Sequence, residues 1–121
     1  MSSKKTLVLG ASPNPARYSH RAVHRLRDNN HEVVALGIRQ GEIGGVPIHI
    51  KAKHFEDIDT VTMYVGAPRQ VAYYHYIISL DPKRIIFNPG AENDELAKLA
   101  TKHNIEVEEA CTLVMLSIGN Y

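Results

Sequence analysis

The sequence predicts an α/β domain with one sheet of five parallel strands and helices on both faces. Short runs of β-branched and aliphatic residues alternate with longer segments of helical periodicity, and each connecting segment has room for a helix and two loops. This alternation is typical of a parallel sheet, whose crossovers are right-handed. The predicted strands are Lys5–Leu9, Glu32–Leu36, Asp59–Val65, Arg84–Phe87 and Ile105–Val107. Together they indicate a Rossmann-like three-layer sandwich.

The helical segments show apolar stripes at the spacing of an amphipathic helix. The first predicted helix runs from Tyr18 to Asp28, with Ser19, Ala22, Val23 and Leu26 on its buried stripe. A second helix follows Pro68, and its predicted buried stripe consists of Val71, His75 and Ile78.

Two further helices and one short extended segment complete the prediction. A third helix covers Asn93 to Lys102, and the apolar tail from Cys111 to Ile118 forms a last helix. That tail is open to two interpretations, as core or as the surface of a homodimer. Gly44-Gly45 marks a turn, and Val46–Ile50 is predicted to be an extended segment at the edge of the sheet.

Composition limits the class of protein. The 121 residues fit one domain, 1–121, with 44% hydrophobic and 22% charged residues. The net charge of +1 gives no support to a nucleic-acid or anionic-membrane partner. One cysteine, Cys111, suits a reducing compartment, and neither a signal peptide nor a membrane span is recognisable. We therefore expect a cytoplasmic protein.

The loop after the first strand has features of a phosphate-binding site. Gly10 allows a sharp turn, the start of the next helix offers free amides, and Arg17 supplies a planar cation. The pattern is not a G-x-G-x-x-G fingerprint, because Ser12 and Pro15 replace the second and third glycines. An ordinary turn between a strand and a helix is the alternative. The candidate ligand-binding residues of this loop are Gly10, Ala11, Ser12, Arg17, Tyr18 and Ser19.

The end of the second strand bears on the type of nucleotide. NAD-binding domains place an acidic residue there to hold the ribose hydroxyls, whereas a basic residue accommodates an added phosphate. Here the first charged residue is Arg39. A nucleotide with an extra ribose phosphate is therefore favoured over NAD, either NADP or coenzyme A. The alternative is that Arg39 is only a solvated loop charge.

The third and fourth strands also end in small residues. Gly66-Ala67-Pro68 follows the third strand, and Asn88-Pro89-Gly90 follows the fourth. Compact turns at the same edge of a parallel sheet leave an open groove, which is where such sheets bind ligands. These two turns complete the set of candidate binding residues.

The sequence resembles the small CoA-binding proteins related to the nucleotide-binding domain of the succinyl-CoA synthetase α subunit. The matching segments span almost the whole chain: Gly10-Ala11-Ser12 with Pro15, Arg17 and Ser19; Ile43-Gly44-Gly45-Val46-Pro47-Ile48; Val65-Gly66-Ala67-Pro68; Asn88-Pro89-Gly90-Ala91; and Cys111. One departure is Gly37-Ile38, because family members commonly have Asn-Pro after the second strand.

The resemblance implies a Rossmann-like fold with coenzyme A bound along the strand ends. It implies that Gly10, Ala11, Ser12 and Arg17 hold the phosphates. It also places Arg39 near the adenosine and the Gly66-Ala67-Pro68 turn beside the groove. It does not imply the ligase reaction, which uses a phosphohistidine from a separate domain.

No convincing catalytic set is recognisable in the sequence. His20 and His24 are four residues apart on the first helix but have no acidic partner nearby, and Cys111 has no identifiable base. The favoured hypothesis is a non-catalytic module that binds coenzyme A or an acyl-CoA. The alternatives are an NADP-binding, oxidoreductase-like domain and a ligand-free protein-interaction domain of the same fold.

Overall fold

The structure is a computed structural model that describes residues 3–121. Seven strands form one sheet in the order β3-β4-β2-β1-β5-β6-β7, and every neighbouring pair is parallel except β3 with β4. The strands are β1 Thr6–Leu9, β2 Val33–Leu36, β3 Gly41–Ile43, β4 Val46–His49, β5 Thr60–Met63, β6 Arg84–Phe87 and β7 Glu106–Glu109. The predicted Rossmann-like α/β fold is confirmed, with two more strands than expected.

The helices lie on both faces of this sheet. They are α1 Tyr18–Asp28, α2 Ala67–Gln70, α3 Tyr74–Leu80, α4 Asp94–Lys102 and α5 Thr112–Ile118, with a 3₁₀ turn at Val71–Tyr73 between α2 and α3. Alternate residues of β1 point to opposite faces. Leu7 and Leu9 pack with α3 and α4, whereas Val8 packs with α1 and α5. Each face of the sheet therefore has its own core.

The two additional strands form a hairpin beyond β2. Its turn is Gly44-Gly45, and both glycines have positive φ values of 52° and 89°, as two-residue hairpin turns require. The arginine Arg27 of α1 donates a hydrogen bond to the Gly44 carbonyl and so fastens the turn to the helix. The extended segment predicted at Val46–Ile50 is thus β4, but it lies inside the sheet because β3 forms the edge.

The first helix matches its prediction in both its bounds and its buried stripe. Ser19, Ala22, Val23 and Leu26 are its buried residues. The third predicted helix is also confirmed as α4. It begins after Asn93, whose side chain accepts a hydrogen bond from the Leu96 amide at 3.1 Å and caps the helix.

The predicted stripe of the second helix is wrong at two of its three residues. Ile78 is half-buried and packs against the core, but Val71 and His75 are exposed, and the buried residues are Gln70, Ile77 and Leu80. The intervening 3₁₀ turn explains the difference, because a 3₁₀ residue advances about 120° against 100° in an α-helix. Three such residues rotate the following helix by roughly 60°, which turns His75 away from the core.

Among residues 3–121, every helix is too short or too polar to cross a bilayer. The apolar tail is a helix that begins at Thr112 and buries Thr112, Met115 and Leu116. Its residues Val114 and Ile118 remain exposed. Whether this face binds a second copy of the chain stays a prediction.

Candidate functional site

A cavity of about 990 Å³ lies at the carboxyl ends of β1, β2, β5 and β6. This is the edge at which doubly wound sheets bind their ligands. Its lining residues come from the loops after those strands: Gly10, Ala11, Ser12, Pro13, Asn14, Arg17, Tyr18, Ser19, Gly37, Ile38, Arg39, Tyr64, Val65, Gly66, Arg69, Ala72, Tyr73, Pro89, Gly90 and Ala91. The fold thus gathers most of the predicted binding residues into one cavity.

Gly10 has a conformation that only glycine tolerates. Its φ is 98°, and a Cβ atom at this position would lie 2.7 Å from the Tyr64 carbonyl oxygen and 2.8 Å from a Val65 methyl carbon. The chain therefore turns out of β1 while it passes close to the segment that follows β5. This turn sets the direction of the whole first loop.

The amides of Gly10 and Ala11 do not point into the cavity as free donors. Both donate to the Leu36 carbonyl, at 2.8 and 3.0 Å. The resemblance implies that these two residues hold the phosphates, but their amides are already occupied within the protein. Gly10 and Ala11 instead determine the path of the loop, because these two hydrogen bonds fix the loop against the end of β2.

The free amides lie slightly later in the chain. Among residues 3–121, the amides of Ser12, Tyr18, Ser19 and His20 have no protein acceptor. The last three belong to the first turn of α1, where intrahelical acceptors are lacking. Ser12, Tyr18 and Ser19 also line the cavity. A favourable position for an anion is therefore present at the start of α1.

The loop between these amides is held by its own polar groups. The Asn14 amide donates to Ser12 Oγ at 3.1 Å, and the Ala16 amide donates to Asn14 Oδ1 at 3.0 Å. The Arg17 amide donates to the Asn14 carbonyl at 3.0 Å. These bonds preorganise the loop, so that a ligand need not order it on binding.

All the charged side chains that line the cavity are arginines. They are Arg17 before α1, Arg39 after β2 and Arg69 on α2, and the lining contains no aspartate or glutamate. The first turn of α1 also lacks an acidic residue. Because the whole chain has a net charge of only +1, this positive charge is a local feature, and it suits a ligand with several negative groups.

Gly37 allows the loops after β1 and β2 to touch. A Cβ atom on Gly37 would overlap the Ala11 carbonyl oxygen, so only glycine permits this approach. The Gly37 amide donates to the His49 carbonyl at 2.9 Å. Ile38 and Arg39 follow immediately and are exposed at the mouth of the cavity.

Three of the predicted binding residues do not line the cavity: Ala67, Pro68 and Asn88. Asn88 is 2% exposed, and its amide group donates to Thr62 Oγ1 at 2.7 Å and to the Met63 carbonyl at 2.9 Å. Its Oδ1 accepts from the Thr112 amide at 2.9 Å. Asn88 thus ties β5, β6 and α5 together, because both of its amide N–H groups and its Oδ1 atom bond to protein groups in the interior. The assignment of Asn88 to the ligand is corrected.

Ala67 and Pro68 form the start of α2, behind the residues that face the cavity. Gly66 precedes them as the N-cap of α2, and Arg69 follows them. The groove is therefore bordered by Gly66 and Arg69 on this side, while Pro89 and Gly90 line it at the end of β6.

Sequence reasoning missed several lining residues, of which Tyr64, Arg69 and Tyr73 are the largest. Arg69 could have been found because it directly follows the Gly66-Ala67-Pro68 turn. The Tyr64 hydroxyl is buried and has no hydrogen-bond partner among residues 3–121. Burial raises the pKa of Tyr64 well above its ordinary value, so this hydroxyl is protonated at neutral pH.

The remaining candidates for chemistry lie outside this cavity. The ring centroids of His20 and His24 are 4.9 Å apart. The pKa of His20 is lowered mainly by burial and, to a smaller extent, by the charge of His24. Cys111 is half-buried ahead of α5. None of the three lines the cavity. Residues 3–121 contain no group of three histidine, cysteine or acidic side chains placed to hold a metal ion.

Comparison with known proteins decides the family. Residues 4–117 match the CoA binding domain family. The chain belongs to this family. The CoA binding domain thus covers all the strands and nearly all of α5, in agreement with the resemblance seen in the sequence. Among proteins with curated functions, none matches the chain.

Solved structures share the fold of this CoA binding domain over its full length. A crystal structure of an uncharacterized protein is 45% identical, with a TM-score of 0.97 and 100% of both chains covered. A Thermus thermophilus protein is 20% identical, with a TM-score of 0.86, 98% of this chain and 91% of that chain covered. The latter similarity shows the fold alone.

A larger enzyme contains the same fold as one part. It is the dinucleotide-forming acetyl-coenzyme A synthetase 1 of Ca. Korarchaeum cryptofilum, solved in complex with phosphate and ADP. The identity is 16% and the TM-score 0.71, over 88% of this chain and 25% of that chain. This similarity, too, shows the fold alone.

Proposed function

We propose that this protein binds coenzyme A or an acyl-CoA in the cavity at the strand ends, as a non-catalytic binding or regulatory module. The observation that carries the proposal is the combination of three arginines, no carboxylate and free helix-terminal amides in one cavity. Membership of the CoA binding domain family supports the same ligand.

The pyrophosphate of the ligand belongs at the start of α1. The amides of Ser12, Tyr18 and Ser19 are available there, and Arg17 lies directly ahead of the helix. Amides at a helix start stabilise an anion both by hydrogen bonding and through the helix dipole. The guanidinium of Arg17 adds a charge that can bind phosphate with two parallel hydrogen bonds.

The ribose phosphate of coenzyme A belongs beside Arg39. Arg39 follows β2, the strand whose end faces the ribose in Rossmann-type nucleotide sites. No acidic residue lines this end of the cavity to compete for the ribose hydroxyls. Arg39 is exposed and can adjust to the position of the phosphate.

The lining supports a binding role rather than catalysis. It contains no histidine, cysteine, lysine or carboxylate, so its Ser12 and Ser19 hydroxyls have none of the usual general bases beside them in the lining. Its tyrosine Tyr64 has a raised pKa, which disfavours it as a base at neutral pH. A carrier, sensor or partner subunit fits these side chains.

Isothermal titration calorimetry with coenzyme A, 3′-dephospho-CoA and NADP tests the proposal. We expect coenzyme A to bind, dephospho-CoA to bind about tenfold or more weakly because it lacks the ribose phosphate, and NADP not to bind. The Arg39→Ala variant should remove the difference between the first two ligands. Preferential binding of NADP would favour an oxidoreductase-like domain. Absence of binding by every nucleotide would favour a protein-interaction domain.

A further inference from the structure

A buried amide lies directly behind one wall of the cavity. Gln70, the last residue of α2, is completely buried, although it follows the exposed Arg69. It does not itself line the cavity. Burial of a polar side chain costs free energy unless its hydrogen bonds are satisfied, so the partners of Gln70 indicate what this side chain does.

The Gln70 amide group joins the two loops that form this wall. Its Nε2 atom donates to the Val65 carbonyl and to the Ala91 carbonyl, both at 2.7 Å. Val65 lies in the loop after β5 and Ala91 in the loop after β6, and both residues line the cavity. Because the two N–H groups belong to one planar amide, they fix the distance between the two loops.

A third bond fixes the direction of the Gln70 amide. Its Oε1 atom accepts a hydrogen bond from Asn93 Nδ2 at 2.9 Å. The Asn93 side chain is held in turn, because its Oδ1 atom accepts from the Leu96 amide and its Nδ2 atom also donates to the Tyr74 hydroxyl. A reversed Gln70 amide would place its oxygen against two carbonyls and its N–H groups against a donor. The bonded arrangement therefore has one orientation.

No direct hydrogen bond holds the two loops together. The pairing of β5 with β6 ends before both loops, and within residues 3–121 no hydrogen bond joins residues 64–66 directly to residues 89–91. Each loop also contains a glycine, Gly66 or Gly90, whose backbone is less restricted than that of other residues. The hydrogen-bonded connection between the loops therefore runs through Gln70.

We propose that Gln70 is a positioning residue of the coenzyme A site, which holds the loops after β5 and β6 at the spacing that the ligand requires. Gln70 acts without touching the ligand, since its N–H groups and its Oε1 atom already bond to protein groups. A wall that is ordered before binding improves affinity, because the ligand does not have to order it. This inference rests on the proposed function and adds to it a residue that lies outside the cavity.

The cavity extends along the sheet edge, so the loss of Gln70 should affect one part of the ligand more than another. The strand ends follow the order β2, β1, β5, β6. In the proposed function the ribose phosphate lies at the end of β2, which β1 separates from the loop after β5. Adenosine 3′,5′-bisphosphate is the nucleotide end of coenzyme A without the second 5′ phosphate and the pantetheine arm. Its binding should therefore depend little on Gln70.

Calorimetric titration of Gln70→Met tests the inference, because methionine has a similar length but offers no N–H donor. We expect the Kd of coenzyme A to rise about tenfold or more, and the Kd of adenosine 3′,5′-bisphosphate to change less than about threefold. The matched control is Asn88→Ala, which also removes a buried amide with three protein partners. Those partners, Thr62, Met63 and Thr112, do not line the cavity, so this variant should keep both Kd values within about threefold of the wild type.

Binding is compared at a temperature at which melting curves show every variant to be folded. The inference is overturned if Gln70→Met binds coenzyme A within about threefold of the wild type. It is also overturned if the affinities for coenzyme A and the bisphosphate fall equally, because that result would indicate a general distortion of the site. If the wild type does not bind coenzyme A, the proposed function itself fails.

Where Gln70→Met does not fold, Gln70→Asn takes its place. Asparagine keeps the amide, but its side chain is one methylene shorter and cannot reach both carbonyls at their present spacing. We expect the Kd of coenzyme A to rise about threefold or more in this variant. An unchanged Kd in folded Gln70→Asn would overturn the inference.

Discussion

Replacement of Asn88 by alanine should destabilise the fold while leaving the ligand site chemically intact. Three hydrogen bonds would be lost: to Thr62 Oγ1, to the Met63 carbonyl and from the Thr112 amide. A typical intramolecular hydrogen bond contributes about 0.5–1.5 kcal/mol, and a buried donor left without a partner costs about 1–3 kcal/mol. Since Thr112 is fully buried, we expect a loss of about 3 kcal/mol.

Urea denaturation monitored by circular dichroism measures this loss directly. For a domain of this size, a loss of about 3 kcal/mol lowers Tm by roughly 10 °C. Asn120→Ala is the matched control, because Asn120 is exposed and follows α5. At a temperature where Asn88→Ala is folded, its Kd for coenzyme A should remain within about threefold of the wild type, a difference below 1 kcal/mol.

The reasoning would be refuted by a loss of stability below about 1 kcal/mol, the contribution of a single hydrogen bond. It would also be refuted by a large loss of affinity in the stably folded variant, which would return Asn88 to the ligand site.

Three further predictions concern the cavity and the opposite end of the sheet. Gly37→Ala should lower Tm and weaken binding of coenzyme A because its Cβ overlaps the neighbouring loop. Gly66→Ala, whose Cβ would meet its nearest neighbour, Pro68 Cδ, at 4.0 Å, should keep Tm within a few degrees. Equal melting of the two variants would contradict this. Arg17→Ala should raise the Kd of coenzyme A about 10- to 100-fold in calorimetry, with Arg25→Ala unchanged; an unaltered Kd would remove Arg17 from the site. Burial and two neighbouring cations lower the pKa of His31 below 6.5. The folded state therefore favours the neutral imidazole, and this contribution to stability is present above pH 6.5 and is lost as the pH falls towards the lowered pKa. When the pH is lowered from about 7.5 to about 5.5, the free energy of unfolding of His31→Gln, measured by urea titration, should therefore decrease less than that of the wild type. An equal decrease would contradict a lowered pKa of His31.

The fold was predictable from sequence because its elements follow local rules. The stripe of α1 shows helical periodicity without interruption, and all four predicted residues are buried. Asn93 is an N-cap residue by type, and α4 begins directly after it. The central strands are short aliphatic runs, which indicate burial on both faces.

The errors have physical causes that local patterns do not show. The direction in which the α3 side chains point depends on the 3₁₀ turn that precedes this helix. That turn directly follows Gln70, whose buried side chain donates to the Val65 and Ala91 carbonyls, both at 2.7 Å. These acceptors come from two different loops, so the bonds depend on tertiary structure. Likewise β3 is only three residues long and has little hydrophobic pattern to reveal it.

The candidate site was predictable in location but not in detail. Parallel strand order alone brings the loops after β1, β2, β5 and β6 to one edge. The free amides at the start of α1 were predictable from helix geometry. The occupied amides of Gly10 and Ala11 were not, because the Leu36 carbonyl that accepts from them comes from a different strand. The same holds for Asn88, whose residue type suits a ligand but whose bonds are all internal.

The central claim is that the free amides at the start of α1 bind the pyrophosphate of coenzyme A. Titration of ¹⁵N-labelled protein with coenzyme A, followed by amide NMR, measures this most directly. We predict the largest downfield amide shifts at Ser12, Tyr18 and Ser19, with small shifts at Gly10 and Ala11, which already donate to Leu36. Saturable shifts confined to another surface, or an unchanged spectrum at millimolar coenzyme A, would contradict the claim.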